Sequence, residues 1–268
     1  METTSTHRET VRVKKLTTGY KRQHEDVIIS CELNETLMSG QLTCLLGPNG
    51  CGKSTILKTL SAFIPPLSGE IYIRGKEIRD YSSRELAKVI GVVLTDRLST
   101  ANMTAEELVA TGRSPYTGFW GNNSREDKRI VDEAMRLTGS EKLKGQKVLT
   151  LSDGERQKVM IAKALAQQTP VIFLDEPTSF LDYPSKVDIM MLLRDLACKY
   201  DKTVFLSTHD LEIALQIADR IWLMDKQYGV KTGSPEELSN NGDIGRYFDR
   251  DRMTYDPSTK RFKIKMEI

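Results

Sequence analysis

The sequence lacks any apolar run long enough to cross a membrane. A transmembrane helix needs about 20 consecutive apolar residues, and the longest apolar runs here, such as residues 171–174, have the length of a strand. Cysteine is also scarce, and the four cysteines (Cys31, Cys44, Cys51 and Cys198) form no C-x-x-C pair. This usage excludes a disulfide scaffold and a zinc module, and it favours a reducing cytosolic compartment.

An excess of charge of one sign is missing as well. Lys and Arg number 39 against 37 Asp and Glu, which gives a net charge of only +2 in 268 residues. Dedicated nucleic-acid-binding proteins usually carry a strong basic excess, so we expect no nucleic-acid partner. Hydrophobic residues make up 39% of the chain and charged residues 28%, which is typical of a globular protein with its own core.

Strand-like and helix-like segments alternate along most of the chain. The predicted strands include residues 11–16, 42–46, 71–73, 89–94, 171–174, 203–206 and 221–224. Short apolar strands separated by helices predict a parallel sheet that is covered on both faces. We expect one helix from Lys53 to Ile64, stopped by the prolines that follow, a helical insertion over about 104–166, and a closing hairpin within 253–264.

Residues 47–54 read Gly-Pro-Asn-Gly-Cys-Gly-Lys-Ser and fit the phosphate-loop pattern G-x-x-x-x-G-K-[ST]. Glycines let successive backbone amides face a phosphate, and the helix that follows adds its positive end. Lys53 is then predicted to contact the β- and γ-phosphates, and Ser54 to bind Mg²⁺. A glycine-rich turn without a ligand is the alternative, but the pattern stands between a predicted strand and a predicted helix, as phosphate binding requires.

Two acids stand at the end of a predicted buried strand, Asp175 and Glu176. A rigid strand end suits a carboxylate that binds Mg²⁺, which we predict for Asp175, while Glu176 is predicted to polarise the attacking water. Alone, the pair would equally fit a polar strand end that enters a turn. Together with the phosphate loop it completes one site.

A third motif, Leu-Ser-Asp-Gly-Glu at 151–155, precedes a predicted helix. Ser152 and Glu155 have the spacing of a capping box, in which two side chains satisfy the first amides of a helix. On these residues alone, the capping explanation and a functional role are equally open.

In order and spacing, from about residue 10 to residue 238, these motifs resemble those of the ATP-binding-cassette (ABC) ATPases. Residues 47–54 resemble the Walker A loop, and 171–176 resemble Walker B with its catalytic glutamate. The motif at 151–155 is similar to the LSGGQ signature. Residues 179–182 resemble the D-loop, and His209 resembles the switch histidine.

The resemblance implies an α/β fold, namely a P-loop NTPase ABC cassette with a mainly parallel core sheet, an antiparallel β subdomain and a helical subdomain. We therefore expect an ABC ATPase domain over residues 1–238, with the helical subdomain at approximately 96–166. Residues 239–268 would form a C-terminal extension that contains the hairpin.

The resemblance also assigns site residues. Lys53, Glu176 and His209 are implied as catalytic, and Ser54, Asp175 and Thr95 as metal ligands. The implied nucleotide-binding residues are Tyr20 (against adenine), Gly47, Asn49, Gly50, Cys51, Gly52, Lys53, Ser54, Thr55, Ser152, Gly154, Glu155 and Asp182. In this family the signature contacts the γ-phosphate held by the other protomer, so each site needs two chains.

Finer details, chiefly residues 104–116, are similar to the ATPase subunits of bacterial importers for iron–siderophores, haem and cobalamin. This implies an ATP-hydrolysing subunit that uses ATP and Mg²⁺ at the cytoplasmic face of the inner membrane, as a peripheral protein. The implied partners are a second copy, polytopic permease subunits and, indirectly, a substrate-binding protein. The alternatives are an ABC ATPase of another transporter and a non-transport or regulatory cassette.

The sequence departs from the family pattern in two places. The signature reads Asp153 and Glu155 where the family has glycine and glutamine, and Thr95, followed by Asp96, stands where the family has the Q-loop glutamine. We expect Thr95, Asp96 or a bridging water to replace the glutamine contact. Hydrolysis is expected to survive, because the other phosphoryl-transfer residues are present.

Overall fold

The computed structural model describes residues 7–22, 25–94, 102–117 and 124–265. The strands are β1 Glu9–Tyr20, β2 Val27–Met38, β3 Leu42–Leu46, β4 Ser68–Ile73, β5 Lys76–Glu77, β6 Ile90–Val93, β7 Val171–Asp175, β8 Thr203–Thr208, β9 Arg220–Asp225, β10 Gly229–Gly233, β11 Met253–Asp256 and β12 Arg261–Ile264. The α-helices are α1 Lys53–Leu60, α2 Ser83–Leu86, α3 Ala105–Ala110, α4 Arg125–Leu137, α5 Asp153–Ala166, α6 Tyr183–Tyr200, α7 Leu211–Ile217, α8 Pro235–Asn240 and α9 Asp243–Phe248. Single 3₁₀ turns lie at Ile78–Asp80, Thr111–Arg113, Glu141–Leu143 and Val148–Thr150.

Within the described residues, the main sheet has six strands in the order β10-β9-β3-β8-β7-β6. The pairs β9–β3, β3–β8, β8–β7 and β7–β6 are parallel, and β10 joins β9 antiparallel. Every residue of β3, β7 and β8 is buried. Such burial on both faces explains why these strands are mainly apolar and do not alternate strictly between apolar and polar residues.

Alternate residues of the sheet enter two cores. On one face Leu42, Cys44 and Leu46 pack with apolar residues of α6 and α7. On the other face Phe173, Phe205 and Trp222 pack with α1 and the second sheet. Neighbouring rings among these three meet edge to face, with centroids 5.9 and 5.0 Å apart, and each ring contributes about 2 to 3 kcal/mol by burial. The strand that carries the acids is therefore anchored from both sides.

A separate antiparallel sheet has the order β2-β1-β4-β5. Val11, Val13 and Leu16 of β1 are buried in the second core, which attaches this sheet to α1. Helices α3, α4 and α5 share a third core of their own. The predicted parallel core sheet, antiparallel sheet and helical segment are thus all present.

The predicted helix from Lys53 to Ile64 is too long. Helix α1 ends at Leu60, where Ser61 donates its hydroxyl to the Leu57 carbonyl at 2.6 Å. Ala62 then takes a left-handed backbone with φ 61°. The prolines lie beyond this end, so Ser61 and Ala62 close the helix, and Phe63 is exposed instead of lying on the buried helix face.

The predicted hairpin is confirmed by β11 and β12, which pair antiparallel. Tyr255 of β11 is buried beside α8, where its hydroxyl lies 3.0 Å from that of Ser239. Among the residues that the structure describes, none of the helices is long and apolar enough to span a membrane.

Candidate functional site

Three chain segments meet where the parallel strands end. Leu46 of β3 pairs with Thr208 of β8, and Asp175 of β7 pairs with Ser207 of β8. The carboxyl ends of these strands therefore lie side by side. The phosphate loop after β3, the acid pair at the end of β7 and His209 after β8 are brought together by this register.

The phosphate loop needs glycine at two positions for steric reasons. A Cβ on Gly47 would lie 2.3 Å from the carbonyl oxygen of Met224. Gly52 has φ 114°, and a Cβ there would lie 2.1 Å from Cγ2 of Ile29. Side chains are excluded at both positions, because the loop packs against β9 on one side and β2 on the other.

Lys53 opens α1, and its long side chain is buried. The ammonium donates to the carbonyl of Gly47 at 2.9 Å and to that of Pro48 at 3.3 Å. It also lies 3.6 Å from Oε1 of Glu176. The loop carbonyls thus hold this cation between the phosphate loop and the acid pair.

A groove of about 480 Å³ lies over the loop. It is lined by Ile29, Asn49, Gly50, Gly52, Lys53, Ser54, Thr55 and Glu176. Sequence reasoning missed Ile29, which stands in an apolar run of β2 that gives no signal for a site. Gly47 and Cys51, both predicted to bind nucleotide, do not line the groove. Cys51 is only 3% exposed and packs beneath the loop, where burial raises the pKa of its thiol.

Tyr20 ends β1 beside the first turn of α1. Its hydroxyl lies 2.9 Å from that of Thr55, and the residue is partly exposed. The hydroxyl thus reaches Thr55, which lines the groove, although Tyr20 itself is not among the lining residues.

Asp175 joins two strand ends to the start of α1. Its Oδ1 atom accepts hydrogen bonds from Ser54 Oγ at 3.1 Å and from Ser207 Oγ at 2.6 Å. The amide of Glu176 donates to the carbonyl and to the hydroxyl of Ser207, at 3.1 and 3.0 Å. Sequence reasoning missed Ser207. Its position two residues before His209 is the one hint in the sequence, and Ser207 belongs to none of the motifs.

Glu176 has a left-handed backbone with φ 45°, which is uncommon for a residue with a side chain. Its Oε2 atom accepts from Ser179 Oγ at 2.8 Å and lies 3.3 Å from Nδ1 of His209. Strained backbone of this kind concentrates at functional sites, where the surrounding structure maintains it. The carboxylate is contacted by a cation, a hydroxyl and an imidazole.

Ser152 and Glu155 form a complete capping box at the start of α5. Ser152 Oγ accepts from the Glu155 amide at 3.3 Å, and the Glu155 carboxylate accepts from the Ser152 amide at 2.9 Å. These hydrogen bonds to Ser152 lower the pKa of Glu155. The neighbouring Asp153 pairs with Arg156 of the same helix. The capping hypothesis is confirmed, and both acids bond within their own helix.

Asp182 caps α6 by accepting from the Ser185 amide at 3.0 Å. A Cβ on Gly154 would lie 3.6 Å from Ser185 Oγ, so the starts of α5 and α6 are neighbours. Among the described residues, Ser152, Gly154, Glu155 and Asp182 do not line the groove of their own chain. Thr95, predicted as a metal ligand, and Asp96 lie outside the described residues.

The fold and the site together define a nucleotide-binding cassette of the P-loop class. A sequence model of the ABC transporter family matches residues 31–179, and the chain belongs to this family. The ferric enterobactin transport ATP-binding protein FepC of Escherichia coli (strain K12) is 36% identical over 228 residues, which cover 85% of this chain and 83% of that protein.

Solved structures agree with this assignment. A structure described as a metal-chelate type ABC transporter in an inward-facing conformation has a TM-score of 0.75 at 30% identity and covers 87% of both chains. A dimeric bacterial ABC transporter cassette has a TM-score of 0.73 at 30% identity, covering 84% of this chain and 98% of that one. The predicted fold class and the prediction of an ABC ATPase are confirmed.

Proposed function

We propose that this chain is the ATP-hydrolysing subunit of an importer for a metal chelate of the iron–siderophore, haem or cobalamin type. The observation that carries the hydrolysis is the set of contacts at the strand ends. Lys53 and His209 both lie beside Glu176, Asp175 accepts from Ser54, and Lys53, Ser54 and Glu176 line the groove. The similarity to a ferric enterobactin transport protein and to a metal-chelate type transporter supports the cargo class.

Nucleotide binding follows from the loop and the groove. The amides of the loop and the start of α1 attract the triphosphate, and the Lys53 ammonium beside them neutralises its charge. Tyr20 offers its exposed ring face to the adenine. Gly52 packs directly on Ile29, so β2 confines the loop on one side.

Mg²⁺ fits the oxygens beside the loop. Ser54 Oγ and Asp175 Oδ1 lie 3.1 Å apart, and a hydroxyl with one carboxylate, completed by phosphate oxygens and waters, is a ligand set that Mg²⁺ favours. The ion supplies charge neutralisation on the phosphates when it is bound. Ser207 keeps Asp175 in place, and Thr95 is proposed as a further ligand.

Glu176 is the proposed general base. Its carboxylate accepts the proton of the water that attacks the γ-phosphorus. Ser179 and His209 both contact Oε2, so they orient the carboxylate, while Lys53 faces Oε1. With two contacts fixing its orientation, the base does not have to reorganise during the reaction.

A second copy of the chain completes the site in this proposal. Ser152 and Gly154 stand at the capped start of α5, which is an anion-binding position, and they lie away from the groove of their own chain. In the dimer, Ser152 and Gly154 would contact the nucleotide bound by the other copy and cover its open side. Asp182 would lie beside them, at the adjoining start of α6. Glu155 accepts a hydrogen bond from the Ser152 amide, and Asp153 forms an ion pair with Arg156. Both carboxylates therefore have a bonding partner at the start of α5.

Polytopic permease chains supply the membrane spans, and this chain binds them at the cytoplasmic face. The helical subdomain, about 96–166, is the proposed contact to the permease. It belongs to a cassette of residues 1–238, and residues 239–268 brace that cassette. A substrate-binding protein delivers the chelate on the opposite side and acts on this chain only through the permease.

Reconstitution tests this function directly. The chain would be assembled in liposomes with its permease subunits, and ATP-dependent uptake of a ferric siderophore, haem and cobalamin would be measured separately. Uptake of one chelate with wild-type protein, and none with Glu176→Gln, supports the proposal. ATP hydrolysis without uptake of any of the three would contradict the cargo class.

A further inference from the structure

Asp210 stands between β8 and α7, directly after the switch histidine, and its carboxylate is nearly buried. The side chain is 12% exposed. Oδ1 accepts from the Lys186 ammonium at 2.5 Å, and Oδ2 accepts from the Thr178 hydroxyl at 2.5 Å. The Asp210 amide in turn donates to Thr208 Oγ1 at 3.0 Å.

The two partners of this carboxylate belong to different segments of the site. Thr178 is fully buried and lies two residues after Glu176. Lys186 lies in the first turn of α6, where its amide donates to the Asp182 carbonyl. One carboxylate therefore joins the chain after β7, the start of α6 and the loop after β8.

Helix capping does not explain this arrangement. Asp210 occupies the N-cap position of α7, but within the described part of the chain its side chain makes no capping hydrogen bond to that helix. It points to Thr178 and Lys186 instead. A nearly buried ion pair is also a weak stability device, because desolvation offsets most of the attraction.

The neighbouring histidine needs such an anchor. The side chain of His209 is 44% exposed, so packing alone does not fix it 3.3 Å from Glu176. Its position follows from the loop backbone. That backbone is held on the C-terminal side of His209 by the bonds of Asp210, and the Leu211 amide adds a bond to the His209 carbonyl at 3.0 Å.

We infer that Asp210 is a positioning residue for ATP hydrolysis, which fixes His209 against Glu176 through its bonds to Thr178 and Lys186. The inference rests on the proposed hydrolytic role of Glu176 and His209. Asp210 itself is assigned no contact with nucleotide. It sets the rate of the chemical step and leaves nucleotide affinity unchanged.

The test compares Asp210→Asn with wild-type protein as the full chain. We expect kcat to fall about tenfold or more, as for a displaced catalytic contact, while KM for MgATP and the Kd of a fluorescent ATP analogue stay within about twofold. Asp195→Asn is the matched control, since it removes an exposed ion pair with Lys199 from the middle of α6. This control should leave kcat unchanged.

Variants of the partners distinguish positioning from folding and cover the case in which Asp210→Asn does not fold. Lys186→Met and Thr178→Val should each lower kcat at constant Kd for the ATP analogue. Lys186→Arg keeps the positive charge and should therefore retain most of the wild-type kcat. In a His209→Ala background, Lys186→Met should cost little further activity, because it acts through the histidine.

Two results would overturn the inference. One is an unchanged kcat in Asp210→Asn or in both partner variants. The other is a loss of rate that Lys186→Arg does not rescue and that is equally large in the His209→Ala background, since that pattern is structural. Wild-type protein that binds ATP and does not hydrolyse it would instead overturn the proposed function, and this inference with it.

Discussion

The Nδ1 atom of His209 lies 3.3 Å from the Oε2 atom of Glu176. The two residues follow β8 and β7, which are adjacent parallel strands, so the sheet register sets their separation. Ser179 donates to the same carboxylate oxygen. The base and the imidazole thus form one unit, held by the strand ends and by Ser179.

Ser207→Ala should impair catalysis through Asp175. The hydroxyl of Ser207 donates to Asp175 and accepts from the Glu176 amide. Its loss should reduce stability by about 1 to 2 kcal/mol and raise the Mg²⁺ concentration needed for half-maximal ATPase activity. Ser83→Ala, at an exposed position in the first turn of α2, serves as the control and should change neither quantity.

Gly52→Ala should abolish nucleotide binding. The added methyl group would meet Ile29 Cγ2 at 2.1 Å on a backbone with φ 114°, so the loop must shift. Gly139→Ala is the control, because Gly139 also has positive φ but open space around its Cβ position. It should lose about 1 to 2 kcal/mol of stability, the cost of a side chain on a left-handed backbone, and keep its affinity for a fluorescent ATP analogue. Normal affinity in Gly52→Ala would show that the loop is not confined by Ile29.

The four cysteine thiols should divide into a pair that reacts with a thiol reagent and a pair that is protected from it. Cys31 and Cys198 are exposed, whereas Cys44 and Cys51 are buried. Burial raises the pKa of Cys44, Cys51 and also Cys198, so exposure to the reagent is what separates the two pairs. A maleimide dye should label two cysteines rapidly and the other two only in denaturant. Rapid labelling of Cys51 in folded protein would contradict its placement beneath the loop.

Asp127→Asn, in α4 of the helical subdomain, should lower the free energy of unfolding in a pH-dependent way. Hydrogen bonds from Ser124 and Arg113 lower the pKa of Asp127 to about 2, and its side chain is 11% exposed. Because the folded-state pKa is depressed, the stability contribution is complete above pH about 4, the unfolded value, and is lost as the pH falls through about 2.

Urea denaturation measures this effect. Wild-type protein should exceed Asp127→Asn by about 2 kcal/mol at pH 6, the scale of hydrogen bonds to a charged group, and by less at pH 3. Glu126→Gln, which removes an exposed pair with Arg129 on the same helix, should have a much smaller effect at pH 6. A difference between wild type and Asp127→Asn that grew on acidification would contradict the assignment.

The strands and the phosphate loop could be predicted from sequence because each depends on local composition. Strands β3 and β7 are buried on both faces, and their sequences are mainly apolar. The end of α1 could not be predicted in this way. A Ser61 hydroxyl bond and the left-handed Ala62 end the helix, while the prolines that follow offered a stronger local signal.

The residues that organise the site were less predictable than those that belong to motifs. Ser207 and Thr178 act across strands, at sequence separations of about 30 residues from their partners. Nothing local distinguishes such hydroxyls from ordinary polar residues. Asp210 illustrates a further difficulty, since it occupies the N-cap position of α7 but its side chain makes no capping hydrogen bond to that helix.

The ATPase activity of Glu176→Gln, measured with the purified full chain and Mg²⁺, tests the central claim most directly. Turnover should fall by about 100-fold or more, the scale of general base catalysis. ATP should remain bound, and a dimer that depends on ATP should accumulate in size-exclusion chromatography. Glu212→Gln, at an exposed position of α7, controls for the charge change and should hydrolyse ATP normally. Unchanged turnover in Glu176→Gln would contradict the assignment of this carboxylate as the base.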